Sequence, residues 1–463
     1  MPCRRSRRRA ANLGRPPNGS VAMNLPSKLS VAVCALAAAA VARAADAGLA
    51  KSADALVDGV MAEVIGARRH LHAHPELSNR EAETSAYVAA KLEALGYEVQ
   101  AGVARHGVVA VLKGGRPGPV VALRADMDAL PVAEEVDLPF ASTVKSTFDG
   151  KDVGVMHACG HDTHMAMLLG AAEVFVKIKA RLPGTIKLIF QPAEEGPPPG
   201  EEAGAKRMIE EGVLSRAPVP EVIFGLHVLT EYESGTLAFR AGGLMASSED
   251  LTITVTGRQT HGAIPWNGVD PIVASAQIVN ALQTVVSRQI DITQGAAIVT
   301  IGKIEGGVRN NIIPERVVMK GTLRALNPEA RTRLADAVRR TATRTAEATG
   351  ASAEVKIGVD HSYPVTYNDP SLTARMRPTL ARLAGAANLI ESTPQTVSED
   401  FSFYQQKIPG LFVFVGVRKP GAGKDEYAPN HSPRFKVDEA GLPLGVRALV
   451  GLTLDYMTGA GSR

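Results

Sequence analysis

Three apolar stretches, far apart in the chain, each run straight into acids or a histidine. Pro119–Arg124 leads into Arg124-Ala125-Asp126-Met127-Asp128, and Gly184–Phe190 leads into Pro192-Ala193-Glu194-Glu195-Gly196. Val222–His227 ends on its own histidine. Near-continuous apolar runs of this length read as strands covered on both faces, which parallel sheets produce. In an open α/β sheet, sites gather beyond the carboxyl ends of the strands. Buried strands that each end in reactive side chains therefore predict one sheet edge where those side chains meet.

The remaining pattern agrees with an α/β fold. Amphipathic helices are expected at Ala53–His72 and Glu81–Leu95, the second closed by Gly96. Strands are expected at Tyr97–Ala101 and Gly107–Lys113, and a helix at Thr163–Ile178. From about Asp250 the order changes. Strand Leu251–Gly257 is followed by helix Asp270–Gln289, strands Ala297–Ile304 and Arg316–Leu326, helix Pro328–Thr349 and strand Ser352–Val359. This β-α-β-β-α-β order predicts a ferredoxin-like insert. A helix at Asp369–Ala387, a strand at Leu411–Val417 and a helix at Asp438–Met457 then resume the first pattern. The expected fold is a mixed-sheet α/β/α domain of residues 45–249 plus 361–463, interrupted by a second domain at 250–360.

The chemistry concentrates in a few places. His157-Ala158-Cys159-Gly160-His161-Asp162-Thr163-His164 packs one thiol and three imidazoles into eight residues. Thiolate and imidazole suit a transition metal such as zinc. Cys159 and His161, one residue apart, suit a turn whose two side chains reach one metal. Asp162 and His164 fit better as groups that hold a ligand in place. Glu194 and Glu195 follow an apolar strand, and neighbours in extended backbone point opposite ways. One can then bind a metal while the other faces water as a general base. The pairs Glu134-Glu135, Glu201-Glu202 and Glu210-Glu211 read instead as solvated charge. His227 lies in the apolar Phe224-Gly225-Leu226-His227-Val228, where its strand-end position favours a ligand over a satisfied core histidine.

Other polar residues are less informative alone. His431, in Pro429-Asn430-His431-Ser432-Pro433, reads as a loop histidine. His70, His72 and His74, at a helix end before Pro75, read as structural. Ser398-Glu399-Asp400-Phe401 reads as a helix start with Ser398 as N-cap. In the insert, Thr260-His261-Gly262-Ala263-Ile264-Pro265-Trp266 and Asn310-Asn311-Ile312-Ile313-Pro314 are turns able to contact a substrate carboxylate.

The first 44 residues differ from the rest. Six arginines crowd Arg4 to Arg15, then come Met23, Lys28, an apolar run to Ala42, and Ala42-Arg43-Ala44. A positive start, a short apolar core and an A-x-A end read as a secretory signal peptide, with Met23 as the expected start and a periplasmic or secreted product. The leader carries eight basic residues and no acid; beyond it 43 basic residues face 47 acidic ones, a net of −4. Nothing in that balance calls for nucleic acid or an anionic membrane as partner. Cys3 and Cys34 belong to the leader, so Cys159 has no disulfide partner in the exported chain.

Taken in order, several motifs form a recognisable series. They are Arg69-His70-Leu71-His72-Ala73-His74-Pro75-Glu76, Leu123-Arg124-Ala125-Asp126-Met127-Asp128-Ala129-Leu130-Pro131, the Cys159 and Glu194 motifs, His227, His261-Gly262-Ala263, Asn311-Ile312-Ile313-Pro314-Glu315, Ser398-Glu399-Asp400-Phe401 and His431-Ser432-Pro433. The chain resembles the amidohydrolase branch of the dinuclear-zinc exopeptidase-like family. That branch holds hippurate hydrolases, N-acyl-amino-acid aminoacylases and plant auxin-conjugate hydrolases. The resemblance implies metal ligands at Cys159, His161, Glu195, His227 and His431. It implies Glu194 as the base that activates water, His261 as an oxyanion donor and Asn311 near the substrate carboxylate. It also implies a lid domain that often forms a homodimer interface. Two departures stand out. Related branches carry His-x-Asp where this chain has Asp126-Met127-Asp128, so no ligand is carried onto Asp126. The loop Gly196-Pro197-Pro198-Pro199-Gly200-Glu201-Glu202 is also longer than usual.

The expected activity is hydrolysis of an N-acyl amino acid to a carboxylic acid and a free amino acid. It would use one or two divalent metals: zinc, manganese, cobalt or nickel. The rival enzyme is an exported metallo-dipeptidase or carboxypeptidase. A non-catalytic periplasmic binding protein on the same scaffold would need a disabled base or ligand set, and the sequence shows neither.

Overall fold

A computed structural model describes residues 48–198, 200–202, 204–423 and 425–459; the leader lies outside the described residues. Strand Arg116–Asp126 lies between Pro183–Gln191 and Val222–Glu233 and is parallel to both. These are the three apolar runs of the sequence. Their register puts Asp126 beside Gln191 and Arg124 beside Gly225. Pairing of Val222–Glu233 with the central strand stops there, while its pairing with the parallel Gly410–Arg418 continues, with His227 opposite Phe414. His227 was expected to end its strand. It lies within it, because the Gly410–Arg418 side keeps the backbone extended, yet it still stands beyond the end of the central strand's pairing.

The sheet is completed on one side by Gly107–Lys113 and Glu98–Val103, and on the other by Leu237–Phe239 and Leu389–Glu391. The outer pairs include antiparallel ones, so the sheet is mixed. Helices Met61–Ala73, His161–Lys177, Pro370–Ala384 and Leu442–Thr458 cover one face around Leu123, Leu188, Phe224, Leu168 and Leu449. Ile189, Ile223, Phe401, Tyr404 and Phe412 form the core on the other. Leu188 and Phe224 are fully buried, and truncating either to alanine would cost on the order of 3 kcal/mol. A one-residue slip would turn each such side chain to the wrong face, so the register that gathers the strand ends is strongly held. His161–Lys177 is buried continuously over its first three turns. That helix therefore runs through the core and presents its N-terminus to the strand ends.

Residues beyond Ser248 build a separate antiparallel sheet in the order Ala297–Gly306, Arg316–Ala325, Ser248–Thr256, Ser352–Tyr363. Helices Pro271–Gln289 and Pro328–Ala348 pack on it through Ile253, Leu282, Met319 and Leu334. Asp270 and Asn327 cap them, each accepting two backbone N–H groups of the first turn. The βαββαβ order and strand arrangement are ferredoxin-like, as expected. Among the described residues no helix is long and apolar enough to cross a membrane.

Two local expectations fail. The first helix is interrupted by a tight turn at Asp58–Val60 before Met61–Ala73, at a glycine that favours helix poorly. Ser398 caps nothing: the helix begins at Ser402, after Glu399 and Asp400 have turned into the interior.

Candidate metal centre

Gly160 makes the first motif work. It sits at φ +93°, and a Cβ there would come within 2.4 Å of Val228 Cγ2. The left-handed turn lets Cys159 and His161 face the same space, one before and one within the helix. Nδ1–H of His161 donates to the backbone carbonyl of Asp128 at 2.8 Å, and Nδ1–H of His227 donates to the carbonyl of Val228 at 2.9 Å. Both Nε2 atoms are thereby turned inward. Nε2 of His227 lies 3.3 Å from Sγ of Cys159. Nε2 of His161 is buried without a hydrogen-bond partner, 3.8 Å from Glu194 and 3.9 Å from Glu195.

Glu194 and Glu195 stand in a turn rather than in extended backbone, so their expected opposite facing is corrected. Both reach toward His161 and then diverge. Glu194 is buried against the backbone N–H of Asp400 at 3.4 Å, while Oε1 of Glu195 lies 3.2 Å from Nε2 of His431. Asp128 sets this turn, its two oxygens accepting the N–H groups of Glu194 and Glu195 at 3.0 Å each. His431 adopts φ +70° and is held by its N–H to the carbonyl of Ala158. The neighbouring Asn430 amide donates to the carbonyls of Cys159 and Val228. Potential ligand atoms of Cys159, His161 and His227 lie within 4.8 Å of one another, as do those of Cys159, Glu195 and His431, and of His161, Glu194 and Glu195. The three groups share members and form one continuous donor set.

A fourth group, Asp126, His161 and His164, is different. Nδ1–H of His164 donates to Asp126 at 2.6 Å, and its Nε2 accepts the N–H of Val228 at 2.9 Å. With both nitrogens used, His164 holds the backbone beside His227, as expected of a supporting group. Asp162 does not play the matching part. Its carboxylate accepts from Arg68 and His72, away from the donor set, because it points to helix Met61–Ala73. His72 also reaches Glu134, whose carboxyl is buried, so Glu134 is not the solvated charge the sequence suggested. His157 is buried with neither ring nitrogen bonded and belongs to none of the donor groups. Glu201 is clamped by Arg80, Arg105 and Asn79, which ties down the long loop after Glu195.

Behind the donor set, fully buried Arg124 bonds Gln191, Asp126 and Asp400 and lies 3.0 Å from Glu399. Sequence reasoning passed over it, although a cation inside an apolar strand is itself a signal for a buried partner. Asp126, Asp400 and Glu399 lie against this guanidinium, and Glu194 is near enough for its charge to be felt. The charge shows in the titration. Burial and then the neighbouring acids push Glu194 well above the usual carboxylate range; burial lifts Glu399 to about 8 and Asp400 to about 6, against the pull of Arg124. His161 rises to about 10, since Asp126, Asp128 and Glu195 overcome its burial. Such a site lacks positive charge. Soft sulfur, two inward Nε2 atoms and carboxylates fit a divalent transition metal.

His261 and Asn311 lie apart from this set. Both are exposed: His261 belongs to a small two-stranded ribbon with Ile312–Ile313, and Asn311 lies in the turn just before that second strand, its carbonyl accepting the Gly262 N–H. Among the described residues neither hydrogen-bonds to the donor set. The second sheet reaches the centre elsewhere: Tyr363, at the end of strand Ser352–Tyr363, donates its hydroxyl to the backbone carbonyl of Glu194 at 2.7 Å, and its ring meets that of His361 at a tilt of 42°. Nearby, Arg324 is half-buried and donates to the carbonyl of Thr396. Burial lowers its pKa, and among the described residues it forms no ion pair.

The profile of Peptidase family M20/M25/M40 matches residues 122–455. Thermostable carboxypeptidase 2 of Saccharolobus solfataricus is 42% identical over 394 residues, covering 85% of this chain and 95% of the relative. N-acetyl-L-cysteine deacetylase of Bacillus subtilis is 38% identical over 381 residues, covering 82% and 85%. The crystal structure of the Bacillus subtilis YXEP protein, a dinuclear metal-binding peptidase of the M20 family, superposes with a TM-score of 0.72 at 35% identity, covering 86% of this chain and 99% of that one. With its strand-end donor set and ferredoxin-like insert, the chain belongs to peptidase family M20/M25/M40.

Proposed function

We propose that the protein is a metal-dependent amidohydrolase that splits N-acyl amino acids into a carboxylic acid and a free amino acid. The observation that carries this reading is a division of labour within one buried cluster. Cys159, His161, Glu195, His227 and His431 supply donors, and Glu194 is left as a buried carboxyl beside them. A divalent metal held by these residues would polarise an amide carbonyl and lower the pKa of water, so that water could lose a proton and act as the nucleophile. The dinuclear character of the YXEP protein supports one or two such ions. Glu194 takes the proton of the attacking water and hands it to the leaving nitrogen. Burial and the adjacent acids raise its carboxyl above the ordinary carboxylate range. Arg324, a half-buried cation with no ion pair among the described residues, suits the free carboxylate of the amino-acid half. Residues 250–360 serve as a lid, bringing His261 to the oxyanion and Asn311 to the substrate carboxylate on closing.

The carboxypeptidase relative keeps a second reading open, since a peptide also places an amide beside a carboxylate. The test is amino acid release by the protein from Ala45 onward. Its substrates are N-acetyl, N-benzoyl and indole-acetyl amino acids and dipeptides, each with chelator and after metal add-back. Chelator-sensitive release from the acylated substrates supports the proposal; release from dipeptides alone supports the peptidase.

The lid also offers the homodimer face. Strand Ala297–Gly306 lies at the edge of its sheet, and Ile272, Val273, Ile304 and Val308 are exposed on or beside it. Light scattering at twice the chain mass supports a homodimer, and the mass of one chain refutes it. Export to the periplasm or medium follows from the leader and is tested by cell fractionation.

A further inference from the structure

Ala193, immediately before the two carboxylates, adopts φ +51°. A residue with a side chain seldom takes left-handed backbone unless its surroundings fix it. The fixing group comes from far away in sequence. Oε1 of Glu81 accepts the Ala193 N–H at 2.8 Å. Glu81 is fully buried at the N-cap of helix Ala82–Ala94, yet its side chain makes no bond to that helix. An acid there would ordinarily accept the helix's free N–H groups. Here it turns away to the strand-end turn. The N–H groups of residues 193, 194 and 195 thus donate in succession to two buried carboxyls, Glu81 and then Asp128. Burial, and then the charge of Asp128, push the Glu81 carboxyl up to about 8, while the N–H groups of Ala193 and Asn79 pull it down. What the turn takes from Glu81 is one side-chain oxygen as an acceptor, which an amide oxygen also supplies.

We propose that Glu81 is a positioning residue, whose carboxyl oxygen holds Ala193 in its left-handed turn and so aims Glu194 and Glu195 at the donor set. The proposal rests on the roles given to Glu194 and Glu195 above.

Glu81→Asp and Glu81→Gln separate reach from charge. Aspartate keeps the acid but is one methylene too short to meet the Ala193 N–H. Glutamine keeps an oxygen at the right distance. Each variant of the full-length exported chain is compared with the unaltered protein for kcat, KM, melting temperature and metal affinity in competition with a chelator. Glu81→Asp is expected to lower kcat by roughly 10- to 100-fold with KM little changed, since small misplacement of a reacting group has that effect. Metal affinity should fall by about tenfold, as for other groups that orient a ligand. Glu81→Gln should stay within about threefold of the unaltered protein on both measures. The proposal is overturned if both variants turn over and bind metal normally while only melting temperature falls. Equal losses in both, or a loss in Glu81→Gln alone, also overturn it. If the unaltered protein hydrolyses no substrate, the proposed function fails, and the metal-affinity comparison still decides the role of Glu81.

Discussion

His161 donates its Nδ1–H to the backbone carbonyl of Asp128 at 2.8 Å, while Asp128's carboxylate accepts the N–H groups of Glu194 and Glu195. One residue just beyond the central strand therefore orients a donor from the helix N-terminus and the two carboxylates of the turn after the neighbouring strand. Fixing a proton on Nδ1 makes Nε2 of His161 the nitrogen that faces the other donors and would give up its proton to a metal.

His164 has the opposite arrangement, with one nitrogen donating to Asp126 and the other accepting from Val228. His161→Ala is expected to reduce bound metal at a fixed chelator concentration, whereas His164→Ala keeps the full stoichiometry. Removing His164 leaves two buried polar groups unpaired, at about 1–3 kcal/mol each. Its signature is a lowered melting temperature with normal metal content, measured by elemental analysis. Loss of metal from His164→Ala at temperatures where it is folded would place that histidine among the ligands.

Glu194 is expected to handle protons and leave the holding of metal to its neighbours. Glu194→Gln preserves size and burial but cannot accept a proton. It should lower kcat by roughly 10²–10⁴-fold with metal content intact. Near-normal turnover would remove Glu194 from the mechanism.

Cys159 lies 3.3 Å from His227, and burial, followed by the charges of Glu195, Glu194 and Asp126, pushes its thiol well above the usual range. Only a cation in the site reverses that, so thiolate and metal stabilise each other. Cys159→Ser replaces a soft ligand with a hard neutral one and is expected to weaken zinc binding by at least about tenfold. In the cobalt-loaded protein the sulfur-to-metal absorption band should disappear. A band unchanged by the substitution would mean that sulfur is not bound.

The periodicity of the apolar runs made the architecture legible. Three strands buried on both faces can pack only in the interior of a covered sheet, and their carboxyl ends then fall at one edge. The donor residues were legible because thiol, imidazole and paired acids stand immediately after those runs. What stayed hidden depends on side-chain direction. Glu81 looks like an ordinary first-turn acid, Glu134 like solvated charge, and Glu399 and Asp400 like a helix start. Each is buried because a partner far away in sequence, Ala193, His72 or Arg124, meets it only after the chain has folded. His227 was misplaced at a strand end because the strand runs on through polar residues, which local pattern does not extend.

Asp162 links helix His161–Lys177 to Met61–Ala73 through Arg68 and His72, each at 2.9 Å. Burial alone would raise its carboxyl, but the Arg68 and His72 charges more than offset this and hold it below the ordinary value. An acid whose folded pKa is depressed stabilises the fold at pH values above its unfolded pKa, about 3.9. That contribution is lost as pH falls through the folded value. In metal-free protein, Asp162→Asn is therefore expected to be clearly less stable than the unaltered chain at pH 6–7, with the gap narrowing below about pH 4. Urea unfolding at a series of pH values measures it. A gap of constant size from pH 7 to pH 3 would mean that Asp162 supports the helix pair through packing and hydrogen bonds that do not depend on its charge.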